Sequence, residues 1–221
     1  MNKLLTSVFA FAVACVTAVS AHAETIKGDA AAGGNKNAMC IGCHGIIGYQ
    51  ASFPEVYKVP KISGQGSAYI VAALTAYKKG ERKHPTMRGI ADSLSEQDMA
   101  DLAAYYEASG KADAVPAVKP AHEPSAAAAE LLKKGACLSC HGEGFVKPID
   151  PAYPLLAGQH SDYLYATLKA YKNDTNRTWG RSNGIMGGMA QQFTNAELKT
   201  LARYIATLDG PLKTVPEARF R

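Results

Sequence analysis

The chain opens on an apolar stretch from Leu4 to Val19, interrupted only by Thr6, Ser7 and Thr17, behind Lys3 and ahead of Ala21-His22-Ala23. A basic start, an apolar run of this kind and a small-x-small exit describe an export signal, so residues 1–23 are expected to be removed by cleavage after Ala23. Cys15 lies inside the run. It lacks the upstream leucine of a lipoprotein signal and is followed by apolar residues, so it reads as a small residue of an ordinary signal core. No later apolar run has the length of a membrane span. The expected location of the mature protein is the bacterial periplasm.

Past the signal the apolar residues recur at helical spacing, and no strand-like alternation of useful length interrupts them. The pattern predicts helices from about Asp29 into the segment around Cys40, from Ser67 to Lys79 and from Ser95 to Ser109. It then repeats, with helices from Ser125 to Cys140, from Ser161 to Tyr171 and from Thr194 to Leu208. Ser95 and Thr194 each have an acidic residue three positions on, Asp98 and Glu197, which is the signature of a capping box. The two sets are one architecture written twice: Pro60 and Gly64-Gln65 pair with Pro154 and Gly158-Gln159, and Tyr69 and Tyr77 pair with Tyr163 and Tyr171. Between them runs a proline-interrupted, Ala/Val-rich stretch that predicts a semi-extended linker. The expected organisation is a first domain over 24–110, a linker over 111–124 and a second domain over 125–221. Each half is small for an independent core, so a large apolar group in each would supply missing bulk.

The repeat also carries the chemistry. Cys40-Ile41-Gly42-Cys43-His44 recurs as Cys137-Leu138-Ser139-Cys140-His141. Cys-x-x-Cys-His is the attachment site of a c-type haem, with two thioethers to the porphyrin and the histidine as proximal iron ligand. Two cysteines three residues apart share a helical face, so both sulfurs reach the same edge of a ring. A bare Cys-x-x-Cys also suits a zinc half-site or a redox dithiol, but the adjoining histidine, the duplication and the export signal favour haem. Two covalently bound haem c groups are therefore expected, and no cysteine outside the signal is left for a disulfide.

The sixth ligand decides between an electron carrier and an iron open to oxygen or peroxide. Met87 and Met186 occupy the same repeat position, at nearly equal distances after His44 and His141, each in an expected loop before a capped helix. They are the candidate axial ligands. Met99 and Met189 align with Leu198 and Ile90 and read as core filling, while Met39 abuts Cys40 on the proximal side. His84, His122 and His160 have no histidine counterparts and read as surface or haem-edge residues. The candidate cofactor-binding set is Cys40, Cys43, His44, Met87, Cys137, Cys140, His141 and Met186, with iron held by His44, Met87, His141 and Met186.

The formal charge of +5 falls by one when the signal leaves, and two haems bring four carboxylates, so the holoprotein is close to neutral. A nucleic-acid partner has no electrostatic support. Lysines and arginines over 78–83, with Lys133 and Lys134, read as solvated faces before they read as a docking patch.

With these marks the chain resembles the dihaem cytochrome c4 family, two class I cytochrome c domains in tandem, over essentially the whole mature length. The resemblance implies an all-α fold of two domains related by a pseudo-twofold axis. It also implies Pro60 and Pro154 carbonyls that accept from Nδ1 of His44 and His141, and Gln65 and Gln159 near the haem propionates. The first loop, over Ala51 to Val59, is longer than its counterpart and is expected to alter the exposed haem edge. The implied function is electron transfer without substrate chemistry, from a quinol-oxidising complex or dehydrogenase to a terminal oxidase or reductase. The expected partners are therefore redox proteins, with association at a membrane surface left open. The alternatives are the electron-accepting cytochrome subunit of a periplasmic dehydrogenase and, from a different class, a dihaem peroxidase.

Overall fold

The computed structural model describes residues 26–110 and 123–216. The signal and its cleavage point, Cys15, His122 and nearly all of the linker lie outside the described residues. The first half runs α1 (Ala30–Lys36), α2 (Ala38–His44), β1 (Gln50–Ala51), β2 (Tyr57–Lys58), α3 (Ser67–Lys78), β3 (Arg82–Lys83), α4 (Pro85–Asp92) and α5 (Glu96–Ser109). The second runs α6 (Ala126–Lys134), α7 (Cys137–His141), a 3-10 turn over Glu143–Phe145, α8 (Ser161–Tyr171), β4 (Gly180–Arg181), α9 (Gly184–Gln191) and α10 (Asn195–Ala206). The fold is all-α, with four strands of two residues among the described residues.

The long helices stand where periodicity puts them, and both capping boxes form. Ser95 Oγ accepts from Asp98 N and the Asp98 carboxylate accepts from Ser95 N, and Thr194 and Glu197 do the same. The helices expected to run unbroken into the cysteine motifs are each split. Asn37 leaves helical geometry at ψ 2° between α1 and α2, while Gly135 ends α6 and Ala136 takes the left-handed region at φ 43° before α7. Each motif thus sits on its own short turn, freed from the direction of the preceding helix.

The two cores repeat position by position. Ile70, Leu94, Met99, Leu102, Ala103 and Tyr106 form the first, with Leu102 2% exposed. Leu164, Phe193, Leu198, Leu201, Ala202 and Ile205 fill the matching places in the second. α1 crosses α5 closely enough that a Cβ on Gly33 would lie 2.1 Å from the Asp101 carbonyl oxygen.

The halves meet about a pseudo-twofold axis. β3 and β4, one from each domain, pair antiparallel, with Arg82 opposite Arg181 and Lys83 opposite Gly180. Gly64 and Gly158, at φ 84° and 72°, turn the chain so that the next residue reaches across. Gln65 then bonds the backbone of Leu155, accepting from its N at 2.9 Å and donating to its O at 3.0 Å. Gln159 repeats this on Lys61, at 3.0 and 2.9 Å. Gln65 and Gln159 are 3% and 4% exposed, and their amides are spent on the opposite domain's backbone, which corrects the expectation that they reach toward propionates.

The long first loop also serves this interface. It folds as the β1–β2 hairpin and lays Tyr57 against Tyr163, ring centroids 6.1 Å apart. Glu55 pairs with Lys169 at 2.5 Å, and Lys58 with Asp162 at 3.3 Å. The tail returns to the first domain, where Lys213 N donates to Ser63 O at 2.9 Å.

Candidate haem-binding sites

The motif helices present their thiols in the same way in both halves. Cys40 packs against the first core and Cys137 against the second, and all four motif cysteines are unbridged. Burial pushes the Cys40 and Cys137 thiols up. A redox dithiol needs the reverse, a nucleophilic sulfur with a depressed pKa, so these pairs suit covalent attachment better than exchange chemistry. Nor do three His, Cys, Asp or Glu side chains converge as a zinc centre requires among the described residues.

His44 donates from Nδ1 to the Pro60 carbonyl at 2.9 Å. That bond fixes the tautomer and leaves the lone pair on Nε2, the nitrogen that would face an iron. His141 is more deeply buried, flanked by the rings of Phe145 and Tyr153 at 6.2 and 6.5 Å. The Pro154 carbonyl is near enough to favour its protonated ring but outside hydrogen-bond geometry, so Nδ1 has no partner. The two halves therefore share a plan and differ in how firmly the imidazole is held. Burial lowers the pKa of both rings, keeping them neutral as metal ligation demands.

Met87 and Met186 do not lie in loops. Each is the third residue of a short helix, α4 or α9, and its own N–H is taken by the residue that caps that helix. Met87 N donates to His84 Nδ1 at 3.3 Å, and Met186 N donates to Asn183 Oδ1 at 2.9 Å. His84 and Asn183 are thus equivalent caps, which explains a histidine with no histidine counterpart. Both methionine side chains are half-buried. Met99 is 2% exposed in the first core, with the Thr75 hydroxyl against its sulfur at 3.8 Å. Met39 is 51% exposed, and Met189 is half-buried beside the Gln192 amide.

Close in sequence to these side chains, large apolar groups stand in the open: Ile47 and Ile149 follow the motifs at 74% and 71% exposure, and Ile185 precedes Met186. Part-exposed thiols, a histidine with a committed or orphaned Nδ1, and uncovered aliphatic surface together fit a flat apolar macrocycle held along one edge in each domain.

Two arginines lie at the seam between the halves. Arg82 and Arg181 lie in register across β3–β4, each against its own domain's tyrosines. Arg82 bonds the Tyr69 hydroxyl at 3.2 Å and Arg181 bonds that of Tyr163 at 3.0 Å. Burial works against their charge, but the surrounding tyrosines outweigh it, and both guanidiniums are held firmly cationic. In the repeat both arginines trail the second paired tyrosine; Arg82, expected on a solvated face, is instead packed on Tyr69 and Tyr77.

Comparison with known proteins agrees with this geometry. The cytochrome c family matches residues 31–108 and again 125–209. The chain is 34% identical over 216 residues to a cytochrome c4 of Pseudomonas aeruginosa, covering 94% of this chain and all of that one. It is 33% identical over 180 residues to a thiosulfate dehydrogenase electron acceptor of Thiomonas intermedia, covering 76% of this chain and 78% of the relative. Among solved structures, reduced cytochrome c4 from Pseudomonas stutzeri superposes with a TM-score of 0.59 at 29% identity, over 82% of this chain and 99% of that one.

Proposed function

The chain belongs to the cytochrome c4 family, a dihaem electron-transfer cytochrome with one covalently attached haem c in each domain, and from that premise we propose that it works as a saturated carrier. When bound, each haem supplies a one-electron iron couple. The protein's part is to hold it: Cys40 and Cys43, and Cys137 and Cys140, anchor the rings, His44 and His141 offer Nε2, and Met87 and Met186 offer thioether sulfur. Soft sulfur opposite imidazole stabilises ferrous iron and suits the oxidising end of a chain. With His44 and Met87, and His141 and Met186, committed to the two irons, no position would remain for substrate, and the protein would catalyse nothing of its own.

The observation that carries this reading is the equivalence of Met87 and Met186, the same helix position with the same capping bond in both halves. The test is spectroscopic. The oxidised holoprotein should show the weak far-red sulfur-to-iron band, and Met87→Ala and Met186→Ala should each remove about half of it. The untreated reduced protein should not bind carbon monoxide. Full band strength in either variant, or rapid stoichiometric binding, overturns the assignment.

The mature protein begins at Glu24 in the periplasm, with domains over 24–110 and 125–221 joined by the linker 111–124; the mass of the purified protein tests the cleavage. Its donor is a quinol-oxidising complex or dehydrogenase and its acceptor a terminal oxidase or reductase. A second reading, the electron-accepting partner of a periplasmic dehydrogenase, is favoured by the likeness to electron acceptors of thiosulfate dehydrogenase. Co-purification with such an enzyme, and reduction by it at a rate matching its turnover, would select that reading.

A further inference from the structure

Pro60 C=O and Lys61 N–H belong to one planar peptide unit. On one side the carbonyl accepts from His44 Nδ1 at 2.9 Å; on the other the N–H donates to Gln159 Oε1 at 3.0 Å, and Gln159 Nε2 returns a bond to Lys61 O at 2.9 Å. Gln159 belongs to the second domain and His44 to the first. The glutamine is 4% exposed, and its Oε1 also accepts from His160 N at 3.1 Å, so its own amide plane is fixed. We propose that Gln159 is a positioning residue for the first haem: it acts from the opposite domain, through the Pro60–Lys61 peptide, on the orientation and donor strength of His44. This rests on the reading of His44 as proximal ligand.

The sign follows from the chemistry. An amide whose N–H is engaged becomes more polarised, and its carbonyl becomes a better acceptor. A stronger bond at Nδ1 places more electron density on Nε2 and favours the ferric state. Gln159 therefore holds the first haem's midpoint potential down. The reciprocal clamp, Gln65 on Leu155, bears on the Pro154–Leu155 peptide beside His141, and the Gln65 side-chain amide makes no bond to Pro60 or Lys61.

The test uses the full-length holoprotein, titrated by potential while haem methyl resonances are followed by NMR, so that each midpoint is assigned to its haem. Gln159→Met keeps the length and loses both bonds. The first midpoint should rise and the second should stay. Gln65→Met opens the same interface from the other side and should leave the first midpoint where it was. Gln159→Glu keeps an oxygen acceptor for Lys61 N–H, beside the Lys61 ammonium that already reaches Gly158 O at 2.7 Å, and should return the first midpoint to the wild-type value or below. An unmoved first midpoint in Gln159→Met, an equal movement of both, or the same rise in Gln65→Met overturns the proposal. If Gln159→Met does not assemble, Gln159→Glu decides: a first midpoint above wild type counts against the clamp, and one at or below it counts for it. The oxidised wild-type protein separates the premise from the inference. Without hyperfine-shifted ring protons of His44, the ligand assignment itself falls; with them, and with an indifferent midpoint, only the clamp falls.

Discussion

Among single residues, Asp101 concentrates more bonding than any periodicity would suggest. It is 3% exposed and accepts from Asp29 N at 2.8 Å, Gln97 Nε2 at 2.8 Å and Lys36 Nζ at 2.7 Å. The Lys36 ammonium first, then the Asp29 N–H and the Gln97 amide, hold its carboxyl below the usual carboxylate range. A depressed folded-state pKa contributes stability that is present above the unfolded value and lost as pH falls through the folded one. Asp101→Asn should therefore lower the melting temperature at neutral pH, and the gap to wild type should close in acid below pH 3.8. A gap that persists there would mean that packing, not charge, carries the effect. The second repeat has Thr200 at this place, so the device belongs to one domain only. The two motif histidines differ in a similar way: His44 has a bonded Nδ1 and His141 does not, so the first haem should titrate at the lower of the two potentials, as assigned midpoints would read.

At the level of elements, the close crossing of α1 and α5 sets a strict limit at Gly33. Alanine there gains about 1 kcal/mol of helix propensity. Its Cβ would meet a backbone carbonyl at 2.1 Å, which cannot rotate away, and overpacking of that kind costs about 1–3 kcal/mol. Clash wins, and Gly33→Ala should lower the denaturant midpoint, whereas Gly89→Ala, with no atom within 4 Å of its Cβ, should not. The capping boxes at Ser95 and Thr194 are the most legible joints in the chain, because a cap is a local contract among four consecutive residues; α8 likewise begins and ends where apolar spacing puts it. The breaks before Cys40 and Cys137 were not legible. Nothing local forbids a helix through Asn37, where only the need to aim the motif separately from α1 opposes it; before Ala136 the one local signal is Gly135, which caps α6. The helices α4 and α9 escaped notice for the converse reason. Three glycines in α9 argue against a helix by propensity, and the bonds that start both helices come from His84 and Asn183, caps of different chemistry in one role.

The whole molecule is an interface as much as a pair of domains, and sequence repetition shows the pairs without showing what they touch. Gln65 and Gln159 stand out as repeated, yet the backbones they bond lie across an axis that no periodicity encodes, as does the register that sets Arg82 opposite Arg181. The longer first loop is legible as an insertion, but its packing on α8 of the other half through Tyr57, Glu55 and Lys58 is not. Its charges and its ring make different claims on stability. Glu55–Lys169 and Lys58–Asp162 are part-exposed pairs of the kind worth about 0.2–1 kcal/mol each. Tyr57 is 8% exposed, and burial raises its hydroxyl pKa well above the usual phenol value, so it stays a neutral, packed aromatic against Tyr163. Truncating a buried ring costs ~3–5 kcal/mol, several times the loss of either ion pair. Calorimetry of the holoprotein should show one transition for wild type and for the double variant Lys58→Ala/Lys169→Ala, because the glutamine clamps and Tyr57 still couple the halves. Tyr57→Ala should split it in two, the halves melting apart before either unfolds; a single transition in that variant would place the coupling in the clamps and the β3–β4 bridge instead.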